Sequence, residues 1–551
     1  MDRFEVSFEN KKYYVDKKTT FYDFITKYNI SKKYPIVLGK LNDELFELTC
    51  EINKDGEIDF LDTSFEIGMN AYIRTLQFVL IKAVYDIFKE AKITIEHSLG
   101  NGIFGEIHKK KPLTEEEIIR IKEEMKLIID KDIPIKKIEI QKKDAISIFE
   151  QYGMKDKLRL LNHVDREELK VYKLQERYDY FYGPMAYSTG VLKFFDLMYY
   201  RPGFILRVPS VEKPNIIKPY IENKKLARIF YETEKWGEIL NIGDVGALND
   251  KAINGDIVNI VRVAEALHEK KIANIADKIF EKESVKIVLI AGPSSSGKTT
   301  FTNRLGIQLR VNGLMPIPIS LDDYFVNREN TPKDEKGNYD FESIYALDLE
   351  LFNKNLGDLL KGEEVSIPSF NFKSGEREWK GKRVKIPQNG IILVEGIHGL
   401  NEQLTKSIAK ENKFKIYISA LTQLNLDNHN RIATTDVRKI RRIVRDYLSR
   451  GYGAEETLKM WPSIKKGEKK NIFVFQEEAD AMFNSTLVYE LCILKKHAIP
   501  LLSKIDSNSP VYYEALRLMS FLRFFKDLDE TLVLSNSILR EFIGGSCFYE
   551  Y

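Results

Sequence analysis

The chain has 551 residues, 30% of them charged and 43% hydrophobic, with a formal net charge of only +3. That length exceeds one hydrophobic core and predicts three or four domains, while the small charge disfavours nucleic acid as a partner. Cys50, Cys492 and Cys547 lie far apart, which excludes a disulfide framework or zinc knuckle, and no run reaches the roughly 18 apolar residues that span a bilayer. The first residues, Met1-Asp-Arg-Phe-Glu-Val, lack an apolar leader core. The expectation is a soluble cytoplasmic protein with no membrane partner.

In chain order, residues 1 to about 66 read as a small mixed domain. Phe4–Phe8 alternates, turns at Glu9-Asn10-Lys11 and returns through Tyr13–Val15, a hairpin pattern. A short amphipathic helix follows over Thr20–Tyr28, capped at Thr19 or Thr20, then strands at Ile36–Gly39 and Leu45–Leu48. Residues 67–215 open on a helix over Tyr72–Ala91 and a glycine-rich stretch, Leu99–Glu106. Leu113–Met125 is a helix whose acidic first turn suits the helix dipole. Residues 216–284 read as a helical connector over Lys224–Thr233, Asp256–Lys270 and Ile272–Phe280, broken at Asn241–Gly246.

The last division, 285–551, starts with an apolar, β-branched run, Val285–Ala291. It leads into Gly292-Pro-Ser-Ser-Ser-Gly-Lys-Thr-Thr300 and a helical pattern from Phe301. A G-x-x-x-x-G-K-[ST] motif between strand and helix is a phosphate-binding loop. Gly292 and Gly297 let the backbone close on an anion, and Ser294, Ser295, Ser296 and Thr300 line it. Lys298 is expected at the terminal phosphates and the Thr299 hydroxyl at Mg²⁺. The motif by itself implies a nucleotide's phosphates and Mg²⁺, not which reaction they serve.

Downstream, Pro316–Phe325 reads as a strand ending in Asp322 and Asp323, and Tyr339–Asp348 opens a helix over Leu349–Leu360. Ligands of parallel α/β sheets bind at the carboxyl ends of strands, so both carboxylates face the phosphate site. Gly390–Gly399 is a buried strand ending in Glu395, and the segment from Asn471–Asp480 through Leu487–Leu491 reads as structure, the last sheet strands and helix. The helix from Asp436 carries Arg438, Arg441, Arg442 and Arg445, and offsets of three, four and seven put Arg438, Arg441 or Arg442, and Arg445 along one face. Such a stripe repels itself unless an anion sits on it, and guanidinium forks suit phosphate.

The loop, Leu321-Asp-Asp-Tyr-Phe325, Phe341-Glu-Ser343, Pro368-Ser-Phe-Asn-Phe372, Val394-Glu-Gly-Ile397 and the arginine helix together resemble the uridine kinase/phosphoribulokinase family. The resemblance implies ATP- and Mg²⁺-dependent phosphorylation of a nucleoside 5′-hydroxyl. It makes Asp322 the general base, also on the metal side, and Glu395 the magnesium-associated acid. Arg441 and Arg445 become nucleotide contacts on a lid, with Arg438 toward the substrate. Phe341, Glu342 and Phe370 take the acceptor positions. Glu342 stands where the family has Asp, Phe370 where it has Tyr, and Gly375 where it has His, which weakens any inference to uridine.

The front half resembles threonyl-tRNA synthetases. Residues 1–66 are similar to their β-grasp TGS domain, and 67–215 to their second additional domain, including Tyr182–Gly190 and Phe194–Met198. That family's editing site has four metal-ligand positions. Here they hold Phe78, Lys82, Phe181 and Met185, which implies the shape without zinc chemistry. His97 and His108 read as solvated or hydrogen-bonded histidines. The expected architecture is multidomain α/β: a β-grasp and an α+β synthetase-editing-like domain before a P-loop kinase with a parallel sheet. A kinase for another hydroxylated metabolite and a non-catalytic, ATP-gated RNA-binding protein remain as alternatives. Self-association is left open.

Overall fold

The computed structural model describes residues 3–42, 44–333, 335, 337–371, 374–422 and 424–549. Phe372 and Lys373, at the end of one family motif, lie outside them.

The first sheet is mixed, in the strand order Lys11–Asp16, Arg3–Phe8, Gly56–Asp62, Ile36–Leu41, Glu44–Glu47. The two N-terminal strands pair antiparallel from Arg3↔Asp16 to Phe8↔Lys11. Phe21–Lys27 packs Phe21 and Phe24 into this sheet's core. Thr20 starts that helix through a reciprocal capping box with Asp23.

The helix Glu66–Ile87 starts six residues before the predicted Tyr72. It is buried nearly all round, so an amphipathic stripe poorly marks its ends. It packs against the helix Glu115–Asp130 and a four-stranded antiparallel sheet, Asp196–Tyr200, Gly203–Arg207, Gly102–His108, Lys92–Leu99. A three-stranded sheet, Arg177–Asp179, Glu168–Leu174, Lys136–Gln141, completes this region.

In the connector, Lys224–Leu240 runs seven residues past its predicted end and stops at Asn241, whose φ of 54° places it in the left-handed region. Asp244 caps a further helix, Val245–Ile253, by accepting from the Ala247 amide. The two helices predicted over 256–280 are one, Ile257–Phe280.

The sheet that positions the site has five parallel strands in the order Met315–Ser320, Gly390–Glu395, Ile287–Ala291, Lys413–Ser419, Ala481–Asn484. Every residue of the central strand Ile287–Ala291 is buried, as continuous apolar strands in doubly covered sheets must be. Within the segment 471–491, Phe473–Glu478 is a 3₁₀ turn, Ala481–Asn484 is the edge strand and a helix starts at Glu490. Ile472 is buried while Val474 is 61% exposed, so this apolar run lacks two faces to cover.

The front half meets the hairpin Asn425–Asp427/Asn430–Arg431, just before the arginine helix, through a buried ionic cluster. Lys157 Nζ lies 2.9 Å from both Asp179 and Asp427, and His429 Nδ1 lies 2.7 Å from Asp179. Burial penalises Lys157's charge, but these carboxylates outweigh it and hold its pKa above the ordinary value. No helix among the described residues is long and apolar enough to cross a membrane.

Candidate active site

The loop Gly292–Gly297 joins the central strand to the helix Lys298–Val311. A Cβ on Gly292 would lie 2.1 Å from the Ile418 carbonyl oxygen and 2.8 Å from Ser296 Oγ, so only glycine fits. Ser295 (φ 59°) and Gly297 (φ 82°) are left-handed, which folds the loop back on itself. The buried hydroxyls of Ser295 and Ser296 have no hydrogen-bond partner among the described residues. Lys298 Nζ donates to the Pro293 carbonyl at 3.2 Å. Burial lowers its pKa, opposed by Glu395 and Asp322. A cradle with two unpaired hydroxyls and an ammonium fits an anionic phosphate chain.

Glu395 ends the strand beside the loop. Thr299 Oγ1 donates to Glu395 Oε1 at 3.3 Å, while Glu395 Oε2 is buried and unpaired among the described residues. Burial pushes Glu395 up to about 7 against the pull of Lys298. A hydroxyl and a carboxylate with a spare oxygen are the hard donors Mg²⁺ takes, so these residues fit that ion.

Ser320 is in register with Glu395 on the next strand. Asp322 follows two residues later in the 3₁₀ turn Leu321–Tyr324, where its amide donates to Ser320 Oγ at 3.3 Å. This sets Asp322 at the same strand end as Glu395 and Lys298. Asp323 is pushed up by burial.

Of the acceptor-side residues, Glu342 lies within electrostatic reach of Lys298, Asp322 and Arg442, and the Phe370 amide donates to the Asp323 carboxylate. Phe341 is exposed and 5.9 Å from the Tyr339 ring. Glu342 packs over Gly467, where a Cβ would meet it at 2.4 Å. Burial, then repulsion from Glu468, pushes Glu342 up to about 7. Phe370 lies 5.5 Å from Phe325. Gly375, with φ 79°, sits under Arg328.

The arginine helix, Thr434–Arg445, departs from the stripe reading. Arg441 is fully buried: Nε and Nη2 donate to Glu490 at 2.9 and 2.6 Å, and Nη1 to Ser485 Oγ at 3.0 Å. Arg438 is paired with Glu468 and donates to the Ser294 carbonyl at 2.9 Å. Both are paired with carboxylates of the chain and donate to carbonyls of the loop, Arg441 to Ser295 at 3.3 Å, so they brace the phosphate loop. Arg442 also braces it, donating to Ser294 Oγ at 2.6 Å. Arg442, Arg445 and Arg450 converge on one buried carboxylate, Asp446, at 2.9, 3.2 and 3.6 Å. Repulsion from Arg445 lowers Arg450 to about 10, so this corner holds more positive charge than its own acid balances. The backbone there is a π-helical turn, Asp446–Arg450, a distortion frequent at functional sites. Glu468, Glu490 and Asp446 had no role in the sequence reading; only their distant partners reveal one.

In the front half, Phe78, Phe181 and Met185 are buried, with the two rings 5.1 Å apart, and Lys82 pairs with Asp86 at 2.6 Å. His97 stacks on Phe230 at 3.5 Å between centroids, and burial lowers its pKa to about 3. It is therefore a packed, neutral ring, where a solvated or hydrogen-bonded one was predicted. His108 contacts Thr94 at 3.3 Å.

Residues 287–490 match the model of the Phosphoribulokinase / Uridine kinase family. A threonine–tRNA ligase of Caldanaerobacter subterraneus is 31% identical over 188 residues, covering 33% of this chain and 29% of the ligase. Threonine–tRNA ligase 1 of Bacillus subtilis is 28% identical over 183 residues, 33% and 28% of the two chains. The chain thus spans less than a third of the length of these relatives, and the similarity lies in its N-terminal region. Among solved structures, a possible uridine kinase from Bacillus stearothermophilus is 20% identical, covering 36% of this chain and 89% of that one, with a TM-score of 0.25. A D-glycerate 3-kinase from Cryptococcus neoformans is 13% identical, covering 49% and 88%, with a TM-score of 0.20. The parallel-sheet region is thus similar to the phosphoribulokinase/uridine kinase family, and the region before it to threonine–tRNA ligases.

Proposed function

We propose that the chain transfers the terminal phosphoryl group of ATP to the 5′-hydroxyl of a nucleoside. The observation that carries this reading is the convergence of Lys298, Asp322 and Glu395 at one end of the parallel sheet. In this reading Lys298 and the loop amides hold the phosphates, and Asp322 accepts the acceptor's hydroxyl proton. Thr299 and Glu395 would hold Mg²⁺, which when bound neutralises charge on the phosphate oxygens. Arg445 and Arg450 supply further positive charge beside them. Phosphoryl transfer has a loose transition state, so the protein's work is positioning and charge stabilisation.

A second reading, a kinase for another small hydroxylated metabolite, is favoured by Phe370 and Gly375. They offer no hydrogen-bonding side-chain group to a base edge, and a site discriminates polar edges through such groups. A phosphoryl-transfer screen of the purified protein against the common nucleosides and small polyols separates the two. A nucleoside monophosphate product supports the first reading. Turnover confined to a non-nucleoside alcohol replaces it with the second.

For the front half we infer a binding or regulatory role without zinc hydrolysis of mischarged tRNA. The packed Phe78–Phe181 pair supports this.

A further inference from the structure

The phosphate loop has a contact that its sequence does not announce. The Thr300 amide and Thr300 Oγ1 both donate to Glu541 Oε2 at 3.0 Å. Tyr549 Oη lies 2.7 Å from the same hydroxyl. Glu541 is buried, on the short helix Arg540–Ile543 near the end of the chain. Its neighbours seat it firmly. Ile538 lies against Gly297, where a Cβ would come within 2.5 Å of it, and the Phe542 ring is 4.8 Å from the Arg441 guanidinium.

The geometry assigns these donors a second claimant. In a phosphate loop the amides of the first helical turn cradle the α- and β-phosphates, while the lysine and the metal-binding hydroxyl serve the transferring end. Thr300 follows Lys298 and Thr299 in that first turn, so its amide and hydroxyl belong to the α-phosphate side. A carboxylate at a helix N-terminus satisfies the orphan amide and the dipole as a phosphate does. Two anions cannot share one amide and one hydroxyl.

We propose that Glu541 is a built-in occupant of the α-phosphate position, an autoinhibitory contact that nucleotide must displace. The proposal rests on the P-loop kinase reading and adds a regulation to that site. Ile538 and Phe542 anchor the helix, so displacement moves the Glu541 side chain rather than the helix. Apparent nucleotide affinity then falls by the fraction of molecules in which the carboxylate has swung away. Segments that touch Arg540–Ile543 can change that fraction. Arg540 ties the helix to the Glu530 and Val533 carbonyls at 2.9 and 2.8 Å.

The test is titration calorimetry on the full chain with ATP and, separately, pyrophosphate, which fills the β and γ positions and leaves the α position empty. Glu541→Gln keeps the shape and removes the charge. It should bind ATP about tenfold or more tightly than the unmodified chain. Its pyrophosphate affinity should change by less than about threefold. Glu541→Asp, which keeps the charge but draws it back by one methylene, should move ATP affinity the same way and stands in should Glu541→Gln fail to fold. Unchanged or weaker ATP binding would reduce Glu541 to a helix cap. An equal gain for pyrophosphate would make the effect general charge repulsion. Either result overturns the proposal and leaves the P-loop reading intact. Failure of the chain and both variants to bind any nucleotide overturns both.

Discussion

Replacing Asp322 by Asn tests the proposed chemistry most directly. The substitution keeps the side chain's size and removes the oxygen that would take the acceptor proton. Asp322 sits two residues beyond a strand whose last residue is in register with Glu395. Of the carboxylates acting on Lys298, Glu395 acts more strongly than Asp322, so losing the Asp322 charge leaves the stronger one beside the phosphate-holding ammonium. Loss of a general base costs about 10²–10⁴ in rate, or roughly 2.7–5.4 kcal/mol of barrier. The fall should appear in kcat with the accepted substrate. ATP affinity measured by calorimetry should change by less than about threefold, toward tighter binding if at all, because a like charge beside the phosphates is removed. A kcat within about threefold of the unmodified chain would refute the base assignment. A kcat loss matched by an equal loss of ATP binding would move Asp322 into the phosphate site.

Three further predictions follow from other parts of the chain. Lys157→Met leaves Asp179 and Asp427 buried without their shared cation, so denaturant unfolding should show about 3–5 kcal/mol lost; a loss under about 1 kcal/mol would mean the cluster is hydrated. Burial raises Glu395 to about 7 from an ordinary 4.5, so the folded chain holds that proton more tightly than the unfolded chain. Its stabilisation is full below about pH 4.5 and lost as pH rises through about 7. Without nucleotide or Mg²⁺, Glu395→Gln should therefore melt higher than the unmodified chain at about pH 8 and nearly level with it at about pH 5; parallel melting curves across that range would remove Glu395 from the titration. Elemental analysis should find no stoichiometric zinc in the full chain, and mischarged tRNA should stay intact in its presence. Zinc lost on replacing Lys82 or Met185 would reopen the hydrolytic role.

Much of the architecture is local and so was legible in the sequence. The phosphate loop needs a buried strand, two glycines and a helix start within a short stretch, and Val285–Arg310 spells all three. Thr20 and Asp23 announce their own helix start, and Leu349–Leu360 forms as predicted because its cap and apolar stripe lie within one segment. Packing alone decided other features. Within 471–491, packing gives the sheet edge to Ala481–Asn484 and leaves Phe473–Glu478 as a 3₁₀ turn. The arginine helix was legible as a stripe of charge, but its meaning lay elsewhere in the chain. Arg438 finds Glu468 30 residues away, Arg441 finds Glu490 49 residues away, and Thr300 finds Glu541 241 residues away. A charge's periodicity along a helix records which side it occupies. Whether that side meets a ligand or a carboxylate of the same chain depends on contacts between distant segments, and these leave no local pattern to read.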